Sequence, residues 1–235
     1  MKSLQKFGGF AALYLAAAYL IGMVLFLAML HTPSITDPAQ RVALLVDKSM
    51  VIFATNLIMY VFFGIFLITF SLALYDRLKS GAPALVQVAT AVGIIWAGSL
   101  IASGMVANAG ITPTLALYAK DPAQAALTWQ SIETVSSGLG NGNGEILGGV
   151  MTLLVSIAAL KSGAFPKVLN ILGLLVGVVG IISMIPRLID LAGIFGLGQL
   201  AWFVWLGIVL LRSGAVVTAL DMGKSTRNQR KPEVN

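Results

Sequence analysis

The chain has 235 residues, 58% of them hydrophobic and 10% charged, with a mean hydropathy of +0.93 and a net charge of +6. A soluble domain carries about 25% charged and about 45–50% apolar residues, so this composition excludes an ordinary globular enzyme, a disordered chain and a nucleic-acid-binding domain. The apolar residues come in blocks of about 20, the length needed to cross a bilayer as a helix. The chain therefore reads as an all-α integral membrane protein. Cysteine is absent and histidine occurs once, at His31. That excludes disulfides, thiol chemistry, iron–sulfur clusters, bis-histidine haem and multi-histidine metal sites. No cofactor is expected.

In chain order, six uncharged runs predict six spans, at 8–30, 49–75, 84–109, 145–160, 168–185 and 191–211. The first run exceeds the apolar core of about 7–15 residues found in a cleaved secretory signal, so it reads as a retained span. Eleven of the fifteen Lys and Arg fall on one set of termini and loops: Lys2, Lys6, Arg77, Lys79, Lys161, Lys167, Arg212, Lys224, Arg227, Arg230 and Lys231. The opposite loops hold Arg41, Lys48, Lys120 and Arg187, together with six of the nine acidic residues. Cytoplasmic loops accumulate Lys and Arg, which predicts an inner-membrane protein with both termini in the cytoplasm. The basic balance is then a topology signal with attraction to anionic headgroups added, and nucleic acid is not expected as a partner. The region 215–235 reads as a polar, basic cytoplasmic tail.

An internal repeat is visible. Lys79-Ser80-Gly81-Ala82, Lys161-Ser162-Gly163-Ala164 and Arg212-Ser213-Gly214-Ala215 follow spans two, four and six. Asp37-Pro38-Ala39-Gln40 and Asp121-Pro122-Ala123-Gln124 precede spans two and four, each with a Thr-Pro pair upstream, at Thr32-Pro33 and Thr112-Pro113. Asp at the N-cap with Pro at the first helical position starts a helix strongly. The reading is three parallel helical hairpins, 1–81, 82–163 and 164–214, within one domain at 1–214. Basic-Ser-Gly turns also follow helices for purely local reasons. Helices two and four would each run about 40 residues, roughly 60 Å at 1.5 Å per residue. The segments 38–48 and 122–136 must then stand above the bilayer or lie along it. The glycine-rich run 138–144 predicts a kink or break, since glycine costs up to about 1 kcal/mol in a helix interior.

No charged residue sits in the middle of a span, which argues against a proton relay, an ion-coupled carrier or intramembrane proteolysis. The candidate site lies near the outer face. Glu145 is estimated about 24 Å from the cytoplasmic end of its helix and Arg187 about 30 Å up the next, and Asn141, Asn143, Asn56, Trp129 and Asp190 fall in the same layer. A carboxylate facing a guanidinium there could bind a polar headgroup or small solute. Plainer roles compete with it. Glu145 could complement a helix N-terminus, and Arg187 with Asp190 could be an exposed pair worth under about 1 kcal/mol. His31 reads as an interfacial loop residue. Trp96, Trp202 and Trp205 read as packing residues, and Trp129 as an interfacial anchor. Small-residue pairs at Gly93/Ala97, Gly98/Ala102 and Gly173/Gly177 read as helix–helix contacts.

The stretch Gly144-Glu145-Ile146-Leu147-Gly148-Gly149, then Lys161-Ser162-Gly163-Ala164-Phe165-Pro166-Lys167-Val168-Leu169 and Gly173, resembles a broad family of small bacterial six-span proteins catalogued as domain of unknown function 4386. Trp205-Leu206-Gly207 followed by Leu210-Leu211-Arg212 fits the same pattern. The resemblance covers the second half by motif and the first half by hydropathy. It implies a six-helix fold in a bacterial inner membrane and supplies no activity or catalytic residue. The leading expectation is non-enzymatic binding of a lipid, a lipophilic small molecule or a membrane partner through the outer half, with membrane lipids as partners. A homo-oligomer fits this as well as a monomer does. The alternative is a small transporter or channel for a neutral or weakly polar solute. A third reading, an enzyme acting on a headgroup with Glu145 as base, lacks a nucleophile–base pair and a metal site.

Overall fold

The computed structural model describes residues 2–25, 35–140, 142 and 144–228, with side chains described at 3–25, 35–140, 142 and 144–212. Among these residues the protein is all-helical: α1 (Lys2–Met23), α2 (Pro38–Asn56), a π-helical turn (Leu57–Phe62), α3 (Phe63–Leu78), α4 (Pro83–Tyr118), α5 (Pro122–Leu139), α6 (Ile146–Ser162), α7 (Lys167–Ile182), a 3-10 turn (Pro186–Leu188) and α8 (Leu191–Asn228). Four stretches, Ser3–Met23, Pro38–Leu78, Pro83–Tyr118 and Leu191–Arg212, are long and apolar enough to cross a membrane, and Ile146–Ser162 and Lys167–Ile182 are shorter apolar helices. The outer surface carries apolar side chains such as Ile95, Val168 and Leu175, each more than half exposed. That surface suits lipid, and the protein is a membrane protein.

α1, α3, α4, α6, α7 and α8 form a closed ring in chain order, each packed on the next and α8 back on α1. Aromatic rings fill the centre, where Phe70 meets Phe203 at 5.3 Å and Trp202 at 5.9 Å between ring centroids. Trp96 and Trp202 are fully buried there, while Trp205 is more than a third exposed. Close approach depends on small residues. A Cβ at Gly149 would lie 2.8 Å from the Gly177 carbonyl oxygen, and one at Gly93 would lie 2.6 Å from Ser71 Oγ. Gly98 differs from its expected role: a Cβ there meets nothing within 4 Å.

Both Asp-Pro motifs start helices as expected. The Asp37 carboxylate accepts a hydrogen bond from the Ala39 N–H and Asp121 from the Gln124 N–H, each at 3.0 Å. The chain is helical from Pro38 to Leu78, with non-helical dihedrals at Lys48 and the wider π turn at 57–62. The fourth helix is broken as expected, between Leu139 and Ile146. The third exceeds its expected end at 109. α4 runs 36 residues to Tyr118, straight through Pro113, about 54 Å at 1.5 Å per residue. Proline removes one helical N–H donor, and packing of Ile111, Leu115 and Leu117 in a second apolar core holds this turn helical. Thr112-Pro113 is therefore a helical turn. Arg212-Ser213-Gly214 is likewise no turn, because the α8 backbone continues to Asn228. The other two Lys-Ser-Gly motifs do end helices. Gly163 takes the left-handed conformation, φ +63°, as the C-terminal cap of α6.

The second core contains Val42, Leu45, Ile111, Ala125, Ala126 and Trp129. It joins the start of α2, the end of α4 and α5 into a small cap at the Asp-Pro end of the ring. Ser103 and Ser136 pin α5 to α4 through reciprocal bonds, each hydroxyl donating to the other residue's carbonyl, at 2.8 and 3.1 Å.

Candidate functional site

Where the cap meets the ring, α2 widens into the π turn. A π turn adds a residue to the helical repeat and re-aims its side chains, and such turns recur at functional sites. Here it is held from two sides. The Tyr14 hydroxyl donates to the Ile58 carbonyl at 3.1 Å, and Gly104 of α4 lies so close that a Cβ would stand 2.8 Å from Tyr60 Cβ. Just before it, buried Asn56 donates through Nδ2 to Asn108 Oδ1 at 2.9 Å.

Three spaces border this turn and a fourth adjoins one of them. A chamber of about 210 Å³ is lined by Arg41, Asn56, Tyr60, Trp129, Glu133 and Gly140 among others. It shares Arg41 and Glu133 with a wider vestibule of about 560 Å³. It shares Tyr60 and Gly140 with an inner chamber of about 140 Å³, which Tyr19, Phe63, Trp96 and Glu145 also line. That chamber shares Tyr19 and Met59 with an apolar groove of about 550 Å³ edged by Asp190, Ile194 and Leu197. The sequence of spaces thus passes from polar to apolar.

Arg41 fixes the polar end. Its Nε donates to the Ile35 carbonyl at 2.9 Å, and Nη1 pairs with Glu133 Oε1 at 3.4 Å. Burial raises the Glu133 pKa above the ordinary glutamate value, and the Arg41 guanidinium and the Trp129 side chain pull the other way without cancelling it. At the break, the Glu145 backbone N–H donates to Ser183 Oγ at 3.0 Å. Gly144 sits at φ +121° against Met184, whose Cα would be 2.5 Å from a Cβ. Such a conformation is open to glycine and costly for other residues. Among the described residues no group of three or more His, Cys, Asp or Glu could hold a metal ion.

The expected site residues divide among these spaces. Asn56 and Trp129 share the first chamber, Glu145 lines the second, and Asp190 edges the apolar groove. Arg187 is exposed on the 3-10 turn and lines none of the four. Asn141, Asn143 and His31 lie outside the described residues. Trp129 is not an interfacial anchor: it is 4% exposed, in the second core. Sequence reasoning counted Arg41 and Glu133 only as loop charges and did not single out Tyr19, Tyr60 or Phe63. No spacing joins positions 19, 60, 63 and 96, because they meet only when separate elements pack.

No curated protein and no solved structure matches the chain. The sequence model of the family described as "Domain of unknown function (DUF4386)" matches residues 10–214. The chain, from the first helix of the ring to the last, belongs to that family.

Proposed function

We propose that this is a six-span bacterial inner-membrane protein, both termini cytoplasmic, that binds a lipid or lipophilic small molecule non-enzymatically through its outer half. The observation that carries the reading is the succession of spaces with shared walls, from Arg41 and Glu133 past Asn56 and Tyr60 to the groove at Ile194 and Leu197. An amphiphile requires polar groups and apolar surface side by side. Pockets for small molecules combine mostly apolar walls with a few placed polar groups. The orientation follows from the excess of Lys and Arg at the Lys-Ser-Gly end.

Native mass spectrometry of the protein released from native-like lipid particles tests this, with wild type compared to Glu145→Ala. A specific adduct retained by wild type and lost in the variant is the expected result. Matching spectra with bulk lipid alone would sink the reading and turn attention to solute flux.

A further inference from the structure

Arg41 and Glu133 are the only charged side chains among the described residues that line the first chamber and the vestibule. Their side chains are 36% and 31% exposed, so both face the space while protein shields them in part. Neither satisfies the other. Their contact is 3.4 Å, against about 2.7–2.9 Å for a well-made charge-assisted bond. Arg41 Nε is held by the Ile35 carbonyl, and among the described residues Nη2 has no acceptor. Arg41 and the Trp129 side chain do not offset the burial of Glu133, whose pKa stays above the ordinary glutamate value. The guanidinium thus has room for an anion and the carboxylate for a cation. The depth suits a lipid head group. Ser103 is 20 residues along α4 from Pro83, about 30 Å at 1.5 Å per residue, the hydrocarbon thickness of a bilayer. α5 runs antiparallel beside it, with Ser99 bonded to Leu139 and Ser103 to Ser136. Glu133 comes three residues before Ser136 and stands about 4.5 Å further out, in the head-group layer. The hydroxyls of Thr36, Thr134 and Ser137 line the vestibule there, and Leu44, Ile52 and Ala107 give the adjoining chamber apolar walls.

We infer that Arg41 and Glu133 form a receptor for a phosphoethanolamine-type zwitterion, with its phosphate on Arg41 and its primary ammonium on Glu133. The inference rests on the amphiphile-binding reading and narrows it to one head-group chemistry. A purely anionic head group would pair with Arg41 and face the Glu133 carboxylate, and a cationic one would meet the guanidinium. A phosphocholine carries both charges, but its quaternary nitrogen has no N–H to donate to Glu133 or to the hydroxyls. The chemistry has two sources, phosphatidylethanolamine in the outer leaflet and a soluble phosphoethanolamine compound entering the vestibule from outside.

The test uses the full chain, delipidated in a neutral detergent and titrated by native mass spectrometry. The probes are phosphatidylethanolamine, phosphatidylcholine and phosphatidylglycerol with identical chains. Wild type should bind phosphatidylethanolamine about tenfold more tightly than either of the others, the effect of one added charge-assisted contact. Glu133→Gln should lift phosphatidylglycerol at least level with phosphatidylethanolamine, since Arg41 then meets the phosphate without an opposing carboxylate. Arg41→Gln should abolish the ranking. Uniform loss in Glu133→Gln with the ranking kept would make the pair a tie between α2 and α5 and overturn the receptor. A ranking unchanged in both variants overturns the assignment to this pair. Equal binding of the three lipids by wild type overturns the head-group chemistry and leaves amphiphile binding standing, whereas no binding of any removes both. Glycerophosphoethanolamine added at the lipid's own concentration separates the sources: displacement of the lipid identifies the soluble compound, and undiminished binding identifies the phospholipid.

Discussion

Gly149 and Gly98 look alike as residues in apolar helices with small neighbours, and the structure gives them opposite surroundings. At Gly149 a Cβ would lie 2.7 Å from the Ile181 nitrogen and 2.8 Å from the Gly177 oxygen, both backbone atoms that cannot swing aside. Gly149→Ala should therefore force α6 and α7 apart and cost about 1–3 kcal/mol, the range for overpacking. Gly98→Ala, with nothing within 4 Å, should be neutral or stabilise by up to about 1 kcal/mol through helix propensity. Denaturant unfolding of the two variants in detergent checks the pair, and equal effects would show that the α6–α7 contact is looser than described. The candidate site divides in the same way. Glu145 was legible because a carboxylate at the edge of an apolar run is rare and expensive. Tyr19, Tyr60 and Phe63 were not, since an aromatic residue inside such a run looks the same whether it faces lipid, core or cavity.

Helix starts were the most legible elements. Asp37 and Asp121 cap their helices with the hydrogen bonds that Asp-Pro motifs predict, because the interaction is local and needs no tertiary partner. Asp121→Ala should destabilise α5 by about 1 kcal/mol, seen as faster amide exchange over the first turn of α5 with the ring helices unchanged. Protection lost evenly along the whole chain would contradict a local cap. Helix ends were less legible. The third span was expected to end at 109, yet α4 runs on through Pro113 to Tyr118 because Ile111 and Leu115 gain burial against the cap. The π turn at Leu57–Phe62 had no sequence signal; its geometry follows from the Tyr14 bond and the close packing against Gly104.

At the scale of the whole molecule the described residues form two cores, one inside the ring and one in the cap. Trp129 is the largest buried side chain of the cap core. Trp129→Ala should cost about 3–5 kcal/mol, with the loss confined to the cap, because the ring core shares none of its residues. Hydrogen exchange resolved by peptide should show deprotection at 38–48, 110–118 and 122–139 alone. Cooperative unfolding of cap and ring together would show that the two act as one unit. What the sequence by itself determined was composition, helicity, the Asp-Pro starts, the break near residue 140 and the family's motifs, all set by local propensity or by the apolar length a bilayer demands. The tertiary structure alone decided that α8 closes the ring on α1, that Arg41 reaches Glu133 across 92 positions of chain, and that Tyr19, Tyr60, Phe63 and Trp96 surround one space with Glu145. Those contacts join residues far apart in the chain, and only the packing of separate helices brings such residues together.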